Sequence, residues 1–229
     1  MSLEEIKKCG AEIRELLEMD TYPVAVKLIK AGEEIPEGFE KPEKQMRHCE
    51  FVGEVRRTGK SYVAKLEDQL CKGGAAALGL GQLSEKVKSG VFYYENLGHF
   101  KTLEAAKKTV DGISFLPANS NSAILYAPLE KTFFEPDVVL FVCNPKQAMV
   151  LTQSELYTEG GRMNAAFSGK QSICSDAVAH VVISGEPNIT VGCSGSRKYS
   201  KVKDSEMIYG IPGKNILNLM DGLKIFAKN

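Results

Sequence analysis

The segment DVVLFVCNP, residues 137–145, constrains the fold of this chain more than any other stretch. Its unbroken apolar run is typical of a strand that is buried on both faces of a sheet. Asn144 then supplies a helix N-cap, and Pro145 fits the first helical position because it lacks an N–H. The segment therefore predicts a strand over 137–142 that leads directly into a helix over 145–156.

Other segments predict further helices and strands around this unit. Ser2 and Glu5 match a capping box, which favours a helix over residues 2–19. The apolar periodicity of 173–183 fits either a helix or a strand. We expect a mixed α/β (α+β) fold, with a mixed sheet, flanking helices and a single compact domain over 1–229. The remaining predicted elements are strands at 24–29 and 61–66, and helices at 45–56, 103–110 and after Pro212-Gly213.

Composition excludes several classes of function. The 229 residues carry 29 Lys and Arg against 29 Asp and Glu, so no net charge attracts nucleic acid or anionic lipid. The N-terminus is amphipathic and acidic, unlike a signal peptide. The longest uncharged stretch, 112–129, is interrupted by proline and asparagine, which argues against a bilayer span. We therefore expect a cytoplasmic protein whose six cysteines are thiols or metal ligands rather than disulfides.

The two halves of the chain show a weak similarity to each other. The strand that starts near Pro23 and a strand-like run that starts at Ser122 are each followed, at a similar distance, by a cysteine and small residues. These cysteines are Cys71 and Cys174. A weak internal duplication is one explanation, and chance alignment is the other.

Four of the six cysteines lie in settings that suggest chemistry. Cys71 precedes Gly73-Gly74 at a predicted helix start, where backbone N–H groups would stabilise a thiolate. Cys143 ends the buried strand, and Cys9 lies on the terminal helix, so both are expected to be structural. The candidate metal ligands are Cys49, Cys71, Cys174 and Cys193.

The spacing of these cysteines leaves their role open. Zinc sites and ferredoxin-type clusters usually contain C-x-x-C pairs, and this chain has none. Four dispersed thiolates can still hold an iron–sulfur cluster when the fold brings them together. Alternatively, the cysteines only fill small spaces in the core.

Two other constellations are possible. The segment GCSGSRK at 192–198 could hold a phosphate or carboxylate through Gly195, Arg197 and Lys198, although it matches no P-loop and could be a solvated turn. A cysteine nucleophile could pair with a histidine, as Cys174 with His180 or Cys71 with His99. No known nucleophile motif surrounds either cysteine. Whether the protein is an enzyme stays open.

Longer motifs resemble a known family. They are MRHCE at 46–50, CKGGA at 71–75, PDVVLFVCNPKQAM at 136–149, CSDAVAH at 174–180, GEPNITVGCSGSRKY at 185–199 and EMIYGIPG at 206–213. Together they resemble domain-of-unknown-function family 169 over nearly the whole chain. Lys72 departs from the family, in which many members have proline there.

The resemblance implies a microbial cytoplasmic protein of a family frequent in anaerobes, and it carries no established activity. Its motifs contain Cys49, Cys71, Cys174 and Cys193. The leading hypothesis is an iron–sulfur cluster or metal on these four residues, next to an anion pocket that includes Arg197. The alternative is a metal-free module that binds a small anionic molecule at residues 192–198. A homo-oligomer is also possible, and a role limited to assembly has no positive sequence feature.

Overall fold

The computed structural model describes residues 2–227, and in that range it contains nine α-helices and one six-stranded sheet. The strands are β1 (Val24–Lys30), β2 (Tyr62–Ala64), β3 (Asn121–Pro128), β4 (Val138–Cys143), β5 (Asn188–Thr190) and β6 (Met207–Pro212). The helices are α1 (Leu3–Leu16), α2 (His48–Thr58), α3 (Lys72–Ala77), α4 (Glu85–Lys88), α5 (Leu103–Asp111), α6 (Pro145–Glu155), α7 (His180–Ser184), α8 (Ser194–Ser200) and α9 (Ile216–Phe226).

The sheet has the strand order β2-β3-β1-β4-β6-β5, and every neighbouring pair is antiparallel. In the middle of the sheet, β1 pairs with both β3 and β4. All residues of β4 are buried, as the apolar run predicts. The mixed α/β fold class with flanking helices is therefore confirmed, whereas the sheet is antiparallel throughout and not mixed.

Helices cover both faces of the sheet. Helices α1, α6 and α9 pack on one face and form what we call the α1 layer, whose core includes Ile13, Leu151 and Leu219. Helices α2 and α3 and the helical segment before α7 pack on the other face, with α8 against α2, and form the α2 layer. Side chains of β1 alternate between these cores: Ala25 and Ile29 face the α1 layer, and Val26 faces the α2 layer.

Local capping explains why several helices start where they do. The Ser2–Glu5 capping box is present at α1. Asn144 and Gln147 form a second capping box at α6, directly after β4. Both predicted helix starts are confirmed.

The ambiguous stretch 173–183 is helical. A π-helix, Ser172–Ala179, continues directly into α7. Its side chains are buried almost without interruption, so apolar periodicity could not separate a helix from a strand here. The π-helix follows Gln171, a non-glycine residue in the left-handed conformation at φ 47°.

A small helical insert lies between α3 and β3. It contains α4, a π-helical turn at Phe92–Asn96 and α5, with its own apolar cluster around Tyr93, Ala106 and Val110. Across residues 2–227, no helix combines the length and apolar character needed to cross a membrane.

Candidate functional site

The six cysteines, all free thiols, fall into two groups by burial and surroundings. Cys9 and Cys143 are buried in the apolar core of the α1 layer. The other four are half-buried, and they are the four candidate ligands, Cys49, Cys71, Cys174 and Cys193. The cysteines therefore divide between the two layers as their sequence settings predict.

Each candidate cysteine lies at the beginning of a helical element of the α2 layer. Cys71 is the N-cap of α3, and Cys193 is the N-cap of α8. Cys49 is in the first turn of α2, and Cys174 is in the first turn of the π-helix. The fold thus brings four distant positions to neighbouring helix starts.

Gly74 lies between two of the sulfurs. A Cβ atom built at Gly74 would be 3.5 Å from the Cys71 Sγ and 3.6 Å from the Cys174 Sγ. These two sulfurs are therefore no further apart than the sum of the two distances. A side-chain methyl group at this position would make ordinary van der Waals contact with both sulfurs.

Electrostatic interactions join all four sulfurs. Burial raises the pKa of the Cys174 thiol well above its usual value, and the sulfurs of Cys71, Cys193 and Cys49 raise it further. The pKa of Cys49 rises to about 12, first through burial and then through Cys193 and Cys71. Each sulfur therefore disfavours a negative charge on its neighbours.

Cys193 differs from Cys49 and Cys174 because it receives more hydrogen bonds. Burial opposes its ionisation, but donors on Ser172 and Ser196 outweigh burial and lower the pKa of the Cys193 thiol. The backbone N–H of Ser196 is 3.5 Å from the Cys193 Sγ. A similar contact joins the Gly74 N–H to the Cys71 Sγ at 3.4 Å. Two of the sulfurs thus accept backbone hydrogen bonds.

Polar side chains from other segments surround the thiols. The Gln171 side chain donates through Nε2 to the Tyr93 hydroxyl at 3.0 Å, which ties the helical insert to the start of the π-helix. Burial raises the pKa of Tyr93 to about 12, and the sulfurs of Cys174, Cys71 and Cys193 also raise it. Tyr93 of the insert therefore lies near the thiols.

A second set of polar side chains includes His48, the residue that precedes Cys49 in the chain. The Nδ1 atom of His48 is 2.8 Å from the Tyr126 hydroxyl, and burial lowers the pKa of His48 to about 3. The ring is therefore neutral near pH 7. The Nε2 atom of His48 and the side-chain amide of Gln69 are buried without a hydrogen-bond partner. The α2 layer thus buries polar groups that the protein itself leaves partly unsatisfied.

The thiols form no ready-made site for a single metal ion. Among the described residues, no group of three or more histidine, cysteine, aspartate or glutamate side chains could hold a metal ion. The predicted ligands are near one another, and their role as ligands stays a prediction.

The predicted anion-binding residues follow Cys193. The guanidinium of Arg197 donates to three backbone carbonyls, those of Val191, Lys203 and Glu206. Lys198 lies over the ring of Tyr199, with its Nζ 5.3 Å from the centroid. A Cβ at Gly195 would be 3.7 Å from the Cys193 Sγ. Arg197 thus organises the chain around α8, and anion binding by these residues stays a prediction.

The candidate cysteine–histidine pairs are not hydrogen-bonded to each other. The Nδ1 atom of His180 is 3.1 Å from the Ser114 hydroxyl, and that of His99 is 2.9 Å from the Lys170 Nζ. Both histidines thus have partners other than Cys174 and Cys71.

Several neighbours of the thiols are absent from the sequence-based prediction. Tyr93 and Gln171 lie far from each other in the chain, and neither belongs to a motif. Ser172 and Ser196 stand two and three residues from a candidate cysteine, so a search for donors flanking Cys174 and Cys193 would have found them. Predicting Tyr93 as a neighbour of the thiols would have required knowledge of how the insert packs near the α2 layer.

Comparison with known proteins gives a family and one relative. The model of family DUF169, described as uncharacterised ArCR, matches residues 12–222. An uncharacterized protein of Methanocaldococcus jannaschii, MJ0308, is 41% identical over 228 residues, which covers 100% of this chain and 97% of the relative. No solved structure matches the chain.

Proposed function

The chain belongs to the DUF169 family, and we propose that it binds an iron–sulfur cluster through Cys49, Cys71, Cys174 and Cys193. One observation carries the proposal: the four cysteines begin four separate helical elements of one layer, and a Cβ at Gly74 would lie within 3.6 Å of the sulfurs of both Cys71 and Cys174. The two remaining cysteines lie in the apolar core of the other layer. Simple filling of space would not require such a division.

Among the described residues, no three histidine, cysteine, aspartate or glutamate side chains form a group that could hold a metal ion, which argues against a single-ion site. A zinc ion binds each thiolate sulfur at about 2.3 Å, which requires its sulfurs to lie close together. In an iron–sulfur cluster the cysteines are shared among several iron atoms, so their sulfurs stand further apart.

Backbone donors also favour a sulfur-ligated cluster. Hydrogen bonds to the sulfurs are one of the factors that set the reduction potential of a cluster. Gly74 and Ser196 direct N–H groups at Cys71 and Cys193, respectively. Cys49 and Cys174, whose pKa values are raised, would release protons when they bind iron, because only the thiolate is a ligand.

A bound cluster would supply one-electron transfer or a site for a small anionic substrate. The chain's own part is to hold the four sulfurs, to exclude water with Tyr93 and to place N–H donors at two ligands. We further propose that the protein works in the cytoplasm, where its six thiols would remain reduced. Arg197, Lys198 and Gly195 would border an adjacent anion pocket.

Anaerobic purification with a visible spectrum and assays of iron, sulfide and zinc tests the proposal. We expect broad visible absorption at about 400 nm, which is typical of thiolate-ligated iron. Iron and sulfide should be present in stoichiometric amounts. Cys71→Ser and Cys174→Ser should each abolish the absorption. Cys9→Ser is the matched control, since Cys9 lies in the α1 layer, and it should retain iron and sulfide in full.

Three results would contradict the cluster. Stoichiometric zinc without colour would indicate a single-ion site, and equal loss of iron in Cys9→Ser would indicate a general folding defect. A colourless protein without metal would leave the metal-free alternative, the binding of a phosphate or carboxylate at residues 192–198. Titration with inorganic phosphate, with Arg197→Ala as the variant, then tests that alternative.

A further inference from the structure

The structure contains a cavity that lies away from the thiols. It has a volume of about 640 Å³ and is lined by the C-terminal end of α6, the loop that follows it, the turn after α7 and the start of α9. This volume is within the range of small-molecule sites, about 300–1,000 Å³. None of the four candidate cysteines lines it. The inference below therefore does not depend on the proposed cluster.

The inner wall of this cavity contains a carboxyl group that is only half satisfied. Asn215 donates through Nδ2 to the Oε2 atom of Glu155 at 3.0 Å. The other oxygen, Oε1, is buried and has no hydrogen-bond partner in the part of the chain that the structure describes. A buried acceptor without a donor destabilises the protein, and a ligand that supplies the donor removes this cost.

Charges of both signs line the same cavity. Glu159 and Glu186 add two carboxylates to Glu155, and Arg162 and Lys214 add two cations. Among the described residues, none of these five side chains forms an ion pair. Lys214 is adjacent in the chain to Asn215, whose side chain donates to Glu155, and all three residues line the cavity.

We propose that this cavity binds a free amino acid, whose ammonium group donates to the Oε1 atom of Glu155 and whose carboxylate faces Lys214 and Arg162. The ammonium supplies the missing donor, and a charge-assisted hydrogen bond of this kind is stronger than a neutral one. The carboxylate pairs with cations that form no ion pair within residues 2–227. A purely anionic ligand would leave Glu155 unsatisfied, and a purely cationic one would leave Lys214 and Arg162 unpaired.

The ionisation of Glu155 gives the proposal an independent readout. Burial, followed by the nearby Glu186, raises the pKa of Glu155 to about 7 even though Asn215 opposes the shift. An ammonium beside the carboxyl group would favour its ionised form and lower this pKa. Binding near pH 7 should therefore release protons to the buffer.

Isothermal titration calorimetry tests the proposal with four probes, L-alanine, L-leucine, L-glutamate and L-lysine at millimolar concentration. The N-acetyl derivative of each probe lacks the ammonium, and the amide derivative lacks the carboxylate. We expect at least one free amino acid to bind and both of its derivatives to bind about tenfold to a hundredfold more weakly, the loss expected for one charged hydrogen bond. The heat should differ between phosphate and Tris buffers, because a released proton is taken up by each with a different enthalpy.

Two variants and a control complete the experiment. Glu155→Gln keeps the shape of the side chain, and it should weaken the free amino acid about tenfold or more and abolish proton release. Lys214→Met should weaken the free amino acid but not its amide. Glu104→Gln, an exposed site on α5 outside the cavity, should change nothing. The proposal is overturned if no probe binds, if the N-acetyl derivatives bind equally well, or if Glu155→Gln binds like the unaltered protein.

Discussion

The two faces of the sheet differ in the polar residues that they bury, although each is covered by helices. The helices of the α1 layer bury apolar side chains and one polar residue, Ser154, which donates to the carbonyl of Val150 in its own helix. The helical elements of the α2 layer bury His48, Arg56, Ser172, Ser175, Asp176, Ser196 and Ser200. Each layer holds cysteines, but only in the α2 layer do their sulfurs interact.

The difference shows how to separate structural cysteines from candidate ligands. Burial raises the pKa of Cys143 to about 12, and no other cysteine among the described residues contributes to this shift. Such a thiol stays protonated and behaves as a small apolar side chain. Cys193, although also largely enclosed, has a lowered pKa because serine donors surround it. Burial raises the pKa of Cys49 to about 12 as well, so interaction with other cysteines, rather than the pKa itself, distinguishes the two kinds of site.

The largest expected effect tests whether paired buried charges stabilise the α2 layer. Arg56 donates to both carboxylate oxygens of Glu206 and to the carbonyl of Lys201, with only 3% of its side chain exposed. Arg56→Ala leaves the Glu206 carboxylate without its partner, so we expect a loss of about 3–5 kcal/mol in the free energy of unfolding. Urea denaturation measures it.

An exposed ion pair provides the control for this substitution. Lys60 pairs with Glu40 at 2.9 Å, and about half of each side chain is exposed. Lys60→Ala should cost less than about 1 kcal/mol. Equal losses in Arg56→Ala and Lys60→Ala would mean that the buried pair does not stabilise this layer.

The second prediction compares two glycines at which a helical element approaches closely. A Cβ at Gly210 would be 2.3 Å from the carbonyl oxygen of Ala177 in the π-helix, and one at Gly222 would be 2.4 Å from the Cα of Ser154. Gly210→Ala and Gly222→Ala should each lower the free energy of unfolding by about 3 kcal/mol through overpacking. Because the π-helix also carries Cys174, only Gly210→Ala should in addition lose iron.

Denaturation and iron content, measured on the same preparations, check this comparison. If both variants keep their iron, the position of the π-helix does not control the thiol site. If both lose iron to the same degree, the loss follows from reduced stability and the two layers are not independent.

Local sequence predicted much of the fold and only part of the site. Asn144-Pro145 determines the start of α6 through neighbouring atoms alone, and Cys71 at the start of α3 could likewise be predicted from the glycines after it. The strand order depends on pairings between distant segments, which no local pattern reveals. Tyr93 and Glu155 lie at their sites because of such packing, so neither could be predicted as a site residue.

The last prediction uses the opposite ionisation of one group from each layer. His48 in the α2 layer has a folded pKa of about 3 against an ordinary value of 6.5, so the folded protein binds fewer protons than the unfolded chain between these pH values. Stability is therefore lost as the pH falls below 6.5. Glu155, at the end of α6, has a folded pKa of about 7 against 4.5, so the stability it contributes is lost as the pH rises above 4.5.

Each pKa shift should change the free energy of unfolding by about 2 kcal/mol over about 1.5 pH units. The free energy is measured on the metal-free protein. We expect His48→Gln to remove the loss of stability that occurs as the pH falls from 6.5 to 5. Glu155→Gln should remove the loss of stability that occurs as the pH rises from 4.5 to 6. Urea denaturation across this pH range gives both slopes, and Glu104→Gln should leave them unchanged because its side chain is exposed. If His48→Gln leaves the acid slope unchanged, the buried ring is not kept neutral by its surroundings. The contrast between the α2 layer and the α1 layer in the ionisation of a buried polar group would then not hold.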